Sequence, residues 1–172
     1  MRTGPAVRTR AFTLAELVGV LTVLAVLAAT AIPAVRMLGD TRSAEVRVRL
    51  EDALRQARAA AVGRGIPCGV RIDRKAQTVS LLALEATKAA PMSDAFGQPL
   101  PALPIDAGRS VGVKRVTGGS KAGNTPEIWF DRSGSHARIS NAGVVTVLRG
   151  DATILLTTGE TIVVTGNTGM IE

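Results

Sequence analysis

Residues 17–35 form a run of 19 positions without one charged side chain. A helix over this run would be about 28 Å long at 1.5 Å per residue, close to the hydrocarbon thickness of a bilayer. Beyond it the apolar positions change rhythm instead of stopping. Val35, Leu38, Val46, Leu50, Ala53, Leu54, Ala57 and Ala61 recur mostly three or four apart. Arg36, Arg42, Arg47, Arg49, Glu51, Asp52, Arg55 and Arg58 largely fill the other faces. Gly63-Arg64-Gly65 then supplies a stop, with Pro67 just after it. The pattern predicts one helix over residues 13–62, apolar all round in its first half and amphipathic in its second. Pro33 and Gly39 are its weak points.

After Pro67 the period shortens to that of strands. Residues 70–72 and 78–84 flank the polar run Asp73-Arg74-Lys75-Ala76-Gln77, a hairpin pattern. Residues 86–110 carry Pro91, Pro99, Pro101 and Pro104 and read as a long irregular connection with room for a short strand. Strands are predicted at 111–116, 127–130, 144–148, 152–157 and 161–165. The segment Ser133-Gly134-Ser135-His136 reads as a polar turn. The expected fold is α+β: a long N-terminal helix, with an apolar membrane half and an amphipathic half, packed on an antiparallel β-sheet domain.

Charge orients the apolar run. Arg2, Arg8 and Arg10 precede it with no acid among residues 1–11, which puts the N-terminus on the cytoplasmic side and the rest of the chain outside. Three readings compete: a secretory signal cut after Ala29-Thr30-Ala31, an ordinary membrane anchor, and a prepilin-type signal. Glu16 separates them. An ionisable side chain at the edge of an apolar helix costs a few kcal/mol if it meets lipid unpaired. A signal or an anchor has no use for it. A chain cut before Phe12 does, because the new α-amino group then lies within one helical turn of the Glu16 carboxylate.

The run Ala11-Phe12-Thr13-Leu14-Ala15-Glu16-Leu17, followed by the apolar helix and Ile32-Pro33, resembles the N-terminal signature of type IV pilins and type II secretion pseudopilins. Gly is usual before the cut in that family; Ala11 stands here. Residues 54–62 with Val70-Arg71-Ile72, and Ile128-Trp129-Phe130 with Gly134, look most similar to minor pseudopilin H and its relatives among minor pilins. The resemblance implies a pilin-like fold with a leader at 1–11, a transmembrane and filament-core helix at 12–35, its amphipathic continuation at 36–62, and a periplasmic β-rich domain at 66–172. It implies cleavage between Ala11 and Phe12 by a prepilin peptidase, N-methylation of Phe12, and a role for Glu16 in assembly. The implied partners are that peptidase, other pseudopilins or pilins, and the inner membrane.

Composition narrows the chemistry. One Cys and one His exclude a Cys/His zinc cluster and an intrachain disulfide. Cys68 reads as a half-buried small residue at a strand start. No phosphate-binding glycine loop occurs, and the carboxylates form no arguable acid–base pair. No catalytic residue, metal site or cofactor is expected, and the chain is not read as an enzyme. The net charge of +7 raises the question of nucleic acid. Arg109, Lys114, Arg115 and Lys121 lie in an acid-free stretch and are the candidate DNA contacts, set against a solvated loop. After Arg149 there is no Lys or Arg, while Asp151, Glu160 and Glu172 are acidic. The resemblance implies secretion in a type II pseudopilus as the function, with DNA uptake by a minor pilin as the alternative; on the charge distribution, nucleic acid is not expected as a partner. A signal-cleaved periplasmic β domain is the third option.

Overall fold

The computed structural model describes residues 14–105, 111–120 and 123–172, and for residues 30–42 the backbone alone. In chain order it contains α1 (Leu14–Arg64), β1 (Cys68–Asp73), β2 (Thr78–Glu85), β3 (Lys88–Pro91), β4 (Leu103–Pro104), β5 (Val113–Thr117), β6 (Glu127–Phe130), β7 (His136–Ile139), β8 (Val145–Val147), β9 (Ala152–Leu156) and β10 (Thr161–Val164). The chain divides into two compact units, Met1–Leu38 and Gly39–Glu172. The described part of the first is helix.

In the second unit α1 packs on antiparallel strands. Val46, Leu50, Ala53, Leu54, Ala57 and Ala61 are buried, as the helical spacing predicts. Gly65 at φ +65° ends the helix in the left-handed conformation that needs no Cβ. Arginines on the remaining faces fasten loops to the helix. Arg49 donates to the Pro104 carbonyl (2.9 Å), Arg64 to that of Ser93 (3.2 Å), and Arg58 to those of Gly134 (3.1 Å) and Thr168 (3.0 Å).

The strands form two sheets, not the single one expected. The larger has seven strands in the order β3-β2-β1-β6-β7-β8, with β4 added on β2; the smaller runs β10-β9-β5. Arg149-Gly150-Asp151 carries the chain from β8 in one sheet to β9 in the other. Both contribute to one core under the helix: Val70, Ile72, Val79, Ile128 and Phe130 from the larger, Ile154, Leu156, Ile162 and Val164 from the smaller. Each such side chain is worth about 1.5–3 kcal/mol once removed from water. The described part of the connection, residues 86–105, supplies two short strands, β3 and β4.

The larger sheet has a second buried face. Leu82, Leu84 and Trp129 are buried there, with Ala89, Ile139 and Val145 packed against them. β1 passes beneath the indole at Gly69, which faces Trp129 directly across the ladder. The tip of the β7–β8 hairpin rests on the tip of β2–β3: a Cβ at Gly143 would lie 2.7 Å from the Thr87 Cα.

Candidate functional site

Glu16 sits in the first described turn of α1, where a helix dipole favours a carboxylate. It is exposed. Leu17, Val18, Val20, Leu21, Val23, Leu24, Val26 and Leu27 follow, each between 53% and 60% exposed. Their spacing carries them right round the helix, so the apolar surface is a sleeve and not a stripe. Thr22, the polar residue within it, donates its hydroxyl to the Val18 carbonyl, keeping that group bonded inside the helix. Ala11 and Phe12 lie outside the described residues. Among the described residues no helix is long and apolar enough to cross a membrane. The apolar run of the sequence continues into positions 30–35, whose side chains lie outside the description.

Of the four candidate DNA contacts, Arg109 and Lys121 also lie outside the described residues. Lys114 and Arg115 are on β5, and both are exposed. Consecutive strand residues normally point to opposite faces. Here Val113 pairs with Leu156 and Arg115 with Leu155, so one extra residue is accommodated as a bulge. The bulge lets both side chains reach solvent at the edge of the smaller sheet.

The sequence reading missed a charged cluster on the larger sheet. Glu127 is only 2% exposed. One carboxylate oxygen accepts from Arg71 Nε (2.9 Å) and Nη2 (2.8 Å), and the other accepts from the Trp129 indole N–H (3.0 Å). Two side chains, Arg71 from β1 and Trp129 from β6, thus satisfy one buried carboxylate. The signal available was the acid opening an otherwise apolar strand, Glu127-Ile128-Trp129-Phe130; its partner lies 56 positions earlier in the chain.

His136 corrects the turn reading. It opens β7 opposite Phe130 and is fully buried. Its backbone N–H donates to Gly166 and its carbonyl accepts from Leu148, which ties β7 to both flanking segments. Nδ1 lies 3.2 Å from the Gly150 carbonyl and so carries the proton, while Nε2 is buried without a partner among the described residues. Burial pushes the imidazole below its ordinary 6.5; the Gly150 bond and Asp151 oppose this, and Arg138 adds to it. The imidazole is placed to hold a loop, not to activate a hydroxyl or thiol. Its folded pKa is depressed, so its contribution to stability is complete above pH 6.5. That contribution is lost as pH falls from there toward the folded value, at up to about 1.4 kcal/mol per unit. Between pH 7.5 and 5.5, wild-type stability in urea is expected to fall more steeply than that of His136→Asn, which keeps a donor for Gly150 but does not titrate. Parallel pH profiles would contradict this assignment.

Cys68 is fully buried, not half-buried, at the start of β1. Burial raises its thiol pKa, with Arg64 pulling weakly the other way. It is therefore a core thiol at neutral pH and not a nucleophile. Among the described residues no group of three or more His, Cys, Asp or Glu side chains is placed to hold a metal ion.

No protein-family profile matches the chain, and no curated protein matches it significantly. Solved structures do. The type IV minor pilin FimU of Pseudomonas aeruginosa superposes with a TM-score of 0.53 at 12% identity, over 79% of this chain and 90% of that one. The minor pseudopilin EpsH of the type 2 secretion system of Vibrio cholerae gives 0.47 at 18% identity, over 76% and 94%. The fold is pilin-like: an N-terminal helix packed on antiparallel sheet.

Proposed function

We propose that the chain is a minor, non-enzymatic subunit of a pilin-like envelope filament, and within that class a subunit of a type II secretion pseudopilus. The observation that carries the reading is on one helix. A carboxylate stands in its first described turn, and directly behind it is a sleeve of apolar side chains that are exposed among the described residues. The pilin-like fold supports it.

On this reading residues 1–11 are a leader, and residues 12–35 lie in the inner membrane with the N-terminus cytoplasmic and the sheet domain periplasmic. A prepilin peptidase cuts between Ala11 and Phe12, and the Phe12 amine is methylated. Subunits then leave the bilayer by exchanging lipid for neighbouring helices. The exchange is feasible because the helix satisfies its own backbone. Gly19, Ala25, Ala28 and Ala29 permit close approach of such neighbours. Glu16 pairs with the amine of Phe12, its own or a neighbour's, as the apolar surfaces close around it.

The acidic balance of residues 150–172, with Asp151, Glu160 and Glu172 and no Lys or Arg, repels phosphate and supports secretion over DNA uptake. Glu172 folds back beside β10, its N–H and carbonyl both bonded to Val163. An acid therefore stands at the β10 edge, and the exposed cations Lys114 and Arg115 stand on the other edge of that sheet.

The test is Glu16→Ala in the native host. Membrane insertion and processing are expected to be intact, because neither requires the carboxylate. Incorporation into filaments, read by cross-linking to neighbouring subunits, is expected to fall at least tenfold. That corresponds to about 1.4 kcal/mol of a buried charge interaction worth several. Wild-type cross-linking would remove Glu16 from assembly.

A further inference from the structure

We infer that the outer edge of β8 pairs with the same edge of a second copy of this chain. This does not depend on the filament reading. The other sheet edges are each guarded against an added strand. On β3, Lys88 is charged and Pro91 has no N–H to offer. β4 is short and ends in Pro104. β5 carries Lys114 and Arg115 at a bulge. β10 is already paired, since the N–H and carbonyl of Val163 are both bonded to Glu172. β8 has none of these devices. It ends the larger sheet, and residues 139–148 contain no charged side chain and no proline. Val144, Thr146 and Val147 are exposed there.

The β7–β8 ladder fixes which backbone groups are open. The Ser140 N–H donates to the Val144 carbonyl, and the Leu148 N–H to that of His136, on either side of the pair Arg138↔Thr146. Residues 144, 146 and 148 therefore turn their backbone groups to β7, and those of Val145 and Val147 point away from it. Neither outward residue has a backbone partner on that side among the described residues. The antiparallel register that uses all the outward groups is self-complementary. Val145 of each copy exchanges both bonds with Val147 of the other, and the two Thr146 residues face each other on the two-fold axis. Their hydroxyls are placed to bond across the axis, and no like charges meet in such a pair.

The space beside β8 suits the same occupant. The β7–β8 hairpin leans on the rest of the sheet by its inner face. Val145 packs against the Leu82, Leu84 and Trp129 cluster, and a Cβ at Gly143, on the same side of the strand, would meet Thr87. Contact with the sheet is thus made by that face and not by the edge. A cavity of about 330 Å³ lies beside Val145 and Val147, lined also by Leu84 and Pro67 and by Asp131 and Arg132, whose charges cancel. Residues directly opposite in a ladder share a face, so the second copy's Val145 and Val147 project toward this neutral, partly apolar space.

The test is disulfide trapping of the full chain in detergent micelles, with copper phenanthroline as oxidant. Cys68 is fully buried and does not compete. At a non-bonded antiparallel pair the Cα atoms are about 4.5 Å apart, within the span of a disulfide. Thr146→Cys is therefore expected to form a covalent dimer at least about tenfold faster than two controls, because its thiols are held together before they react. The controls are Val147→Cys, which faces the second copy's Val145 and not its own counterpart, and Thr161→Cys, exposed on β10. Adding Val147→Lys to Thr146→Cys, with an unchanged melting temperature, sets a charge on the edge and is expected to slow trapping about fivefold. Equal rates at 146, 147 and 161 would overturn the proposal, since random collision or association through the apolar helix gives that result. Faster trapping at 147 than at 146 would overturn it by excluding the register. Trapping at 146 that Val147→Lys leaves unchanged would overturn the edge as the contact.

Discussion

Gly69→Ala is expected to destabilise the sheet domain by about 3 kcal/mol or more, lowering its melting temperature by about 10 °C. One methyl group is a small change, but here it has no room. The added Cβ would stand 2.6 Å from the Ile128 carbonyl oxygen and 2.7 Å from Trp129 Cδ2. The first neighbour is backbone in the central β1–β6 ladder, and the second belongs to a fully buried indole. Neither yields without breaking something else: the strand moves and loses ladder bonds, or Trp129 leaves its place and Glu127 loses the indole N–H. A glycine in a strand interior usually weakens it, and this one is tolerated because another group fills its missing side chain. Thermal unfolding followed by circular dichroism makes the check. A variant melting within a degree or two of wild type would mean that the indole is not seated on β1 as described.

Glu127→Ala is expected to cost about 3 kcal/mol. The variant leaves the buried indole N–H without an acceptor, about 1–3 kcal/mol on its own, and strips Arg71 of its partner. Complete burial of an unpaired charge would cost about 3–5 kcal/mol. The Arg71 side chain is 35% exposed, so water relieves part of that. The stronger check is a double-mutant cycle. Arg71→Leu alone leaves a nearly buried carboxylate without its cation, whereas Arg71→Leu with Glu127→Ala leaves no charge at all. The pair is expected to be less damaging than the sum of the two singles by at least about 1 kcal/mol. Additive losses in chemical denaturation would show that the two side chains do not act together.

The elements legible in sequence are those whose signal is local. The burial of Val46, Leu50, Leu54 and Ala57 follows from helical spacing, and β6 is found at the residues expected because Glu127-Ile128-Trp129-Phe130 is dense in strand formers. The β1–β2 hairpin is equally local, with its polar turn between two apolar runs. β7 escaped because Asp131 to Ser135 is a genuine polar turn, built on the Asp131 carboxylate, and His136 prolongs its polarity by one residue. What buries His136 is pairing with Phe130 and Gly166, which no neighbour in sequence reveals. The division into two sheets is non-local for the same reason. β8 and β9 are separated by a few residues that look like any hairpin turn, and only strand partners far along the chain assign them to different sheets.

The candidate site divides along the same line. Glu16 stands out in sequence because it is a lone charge beside an apolar run. The Arg71–Glu127–Trp129 cluster does not stand out, because its members are ordinary strand residues until two strands bring them together. For Lys114 and Arg115, composition shows the charge, but only the bulge in β5 explains why both reach solvent.

The filament reading rests on where the mature chain begins. Intact-mass and N-terminal peptide mass spectrometry of the protein purified from its native host measures this directly. The expected result is an N-terminus at Phe12 carrying one added methyl group, with residues 1–11 absent. A mature chain beginning at Ile32 would mean ordinary signal cleavage after Ala31, would remove the apolar helix with Glu16, and would contradict the filament account.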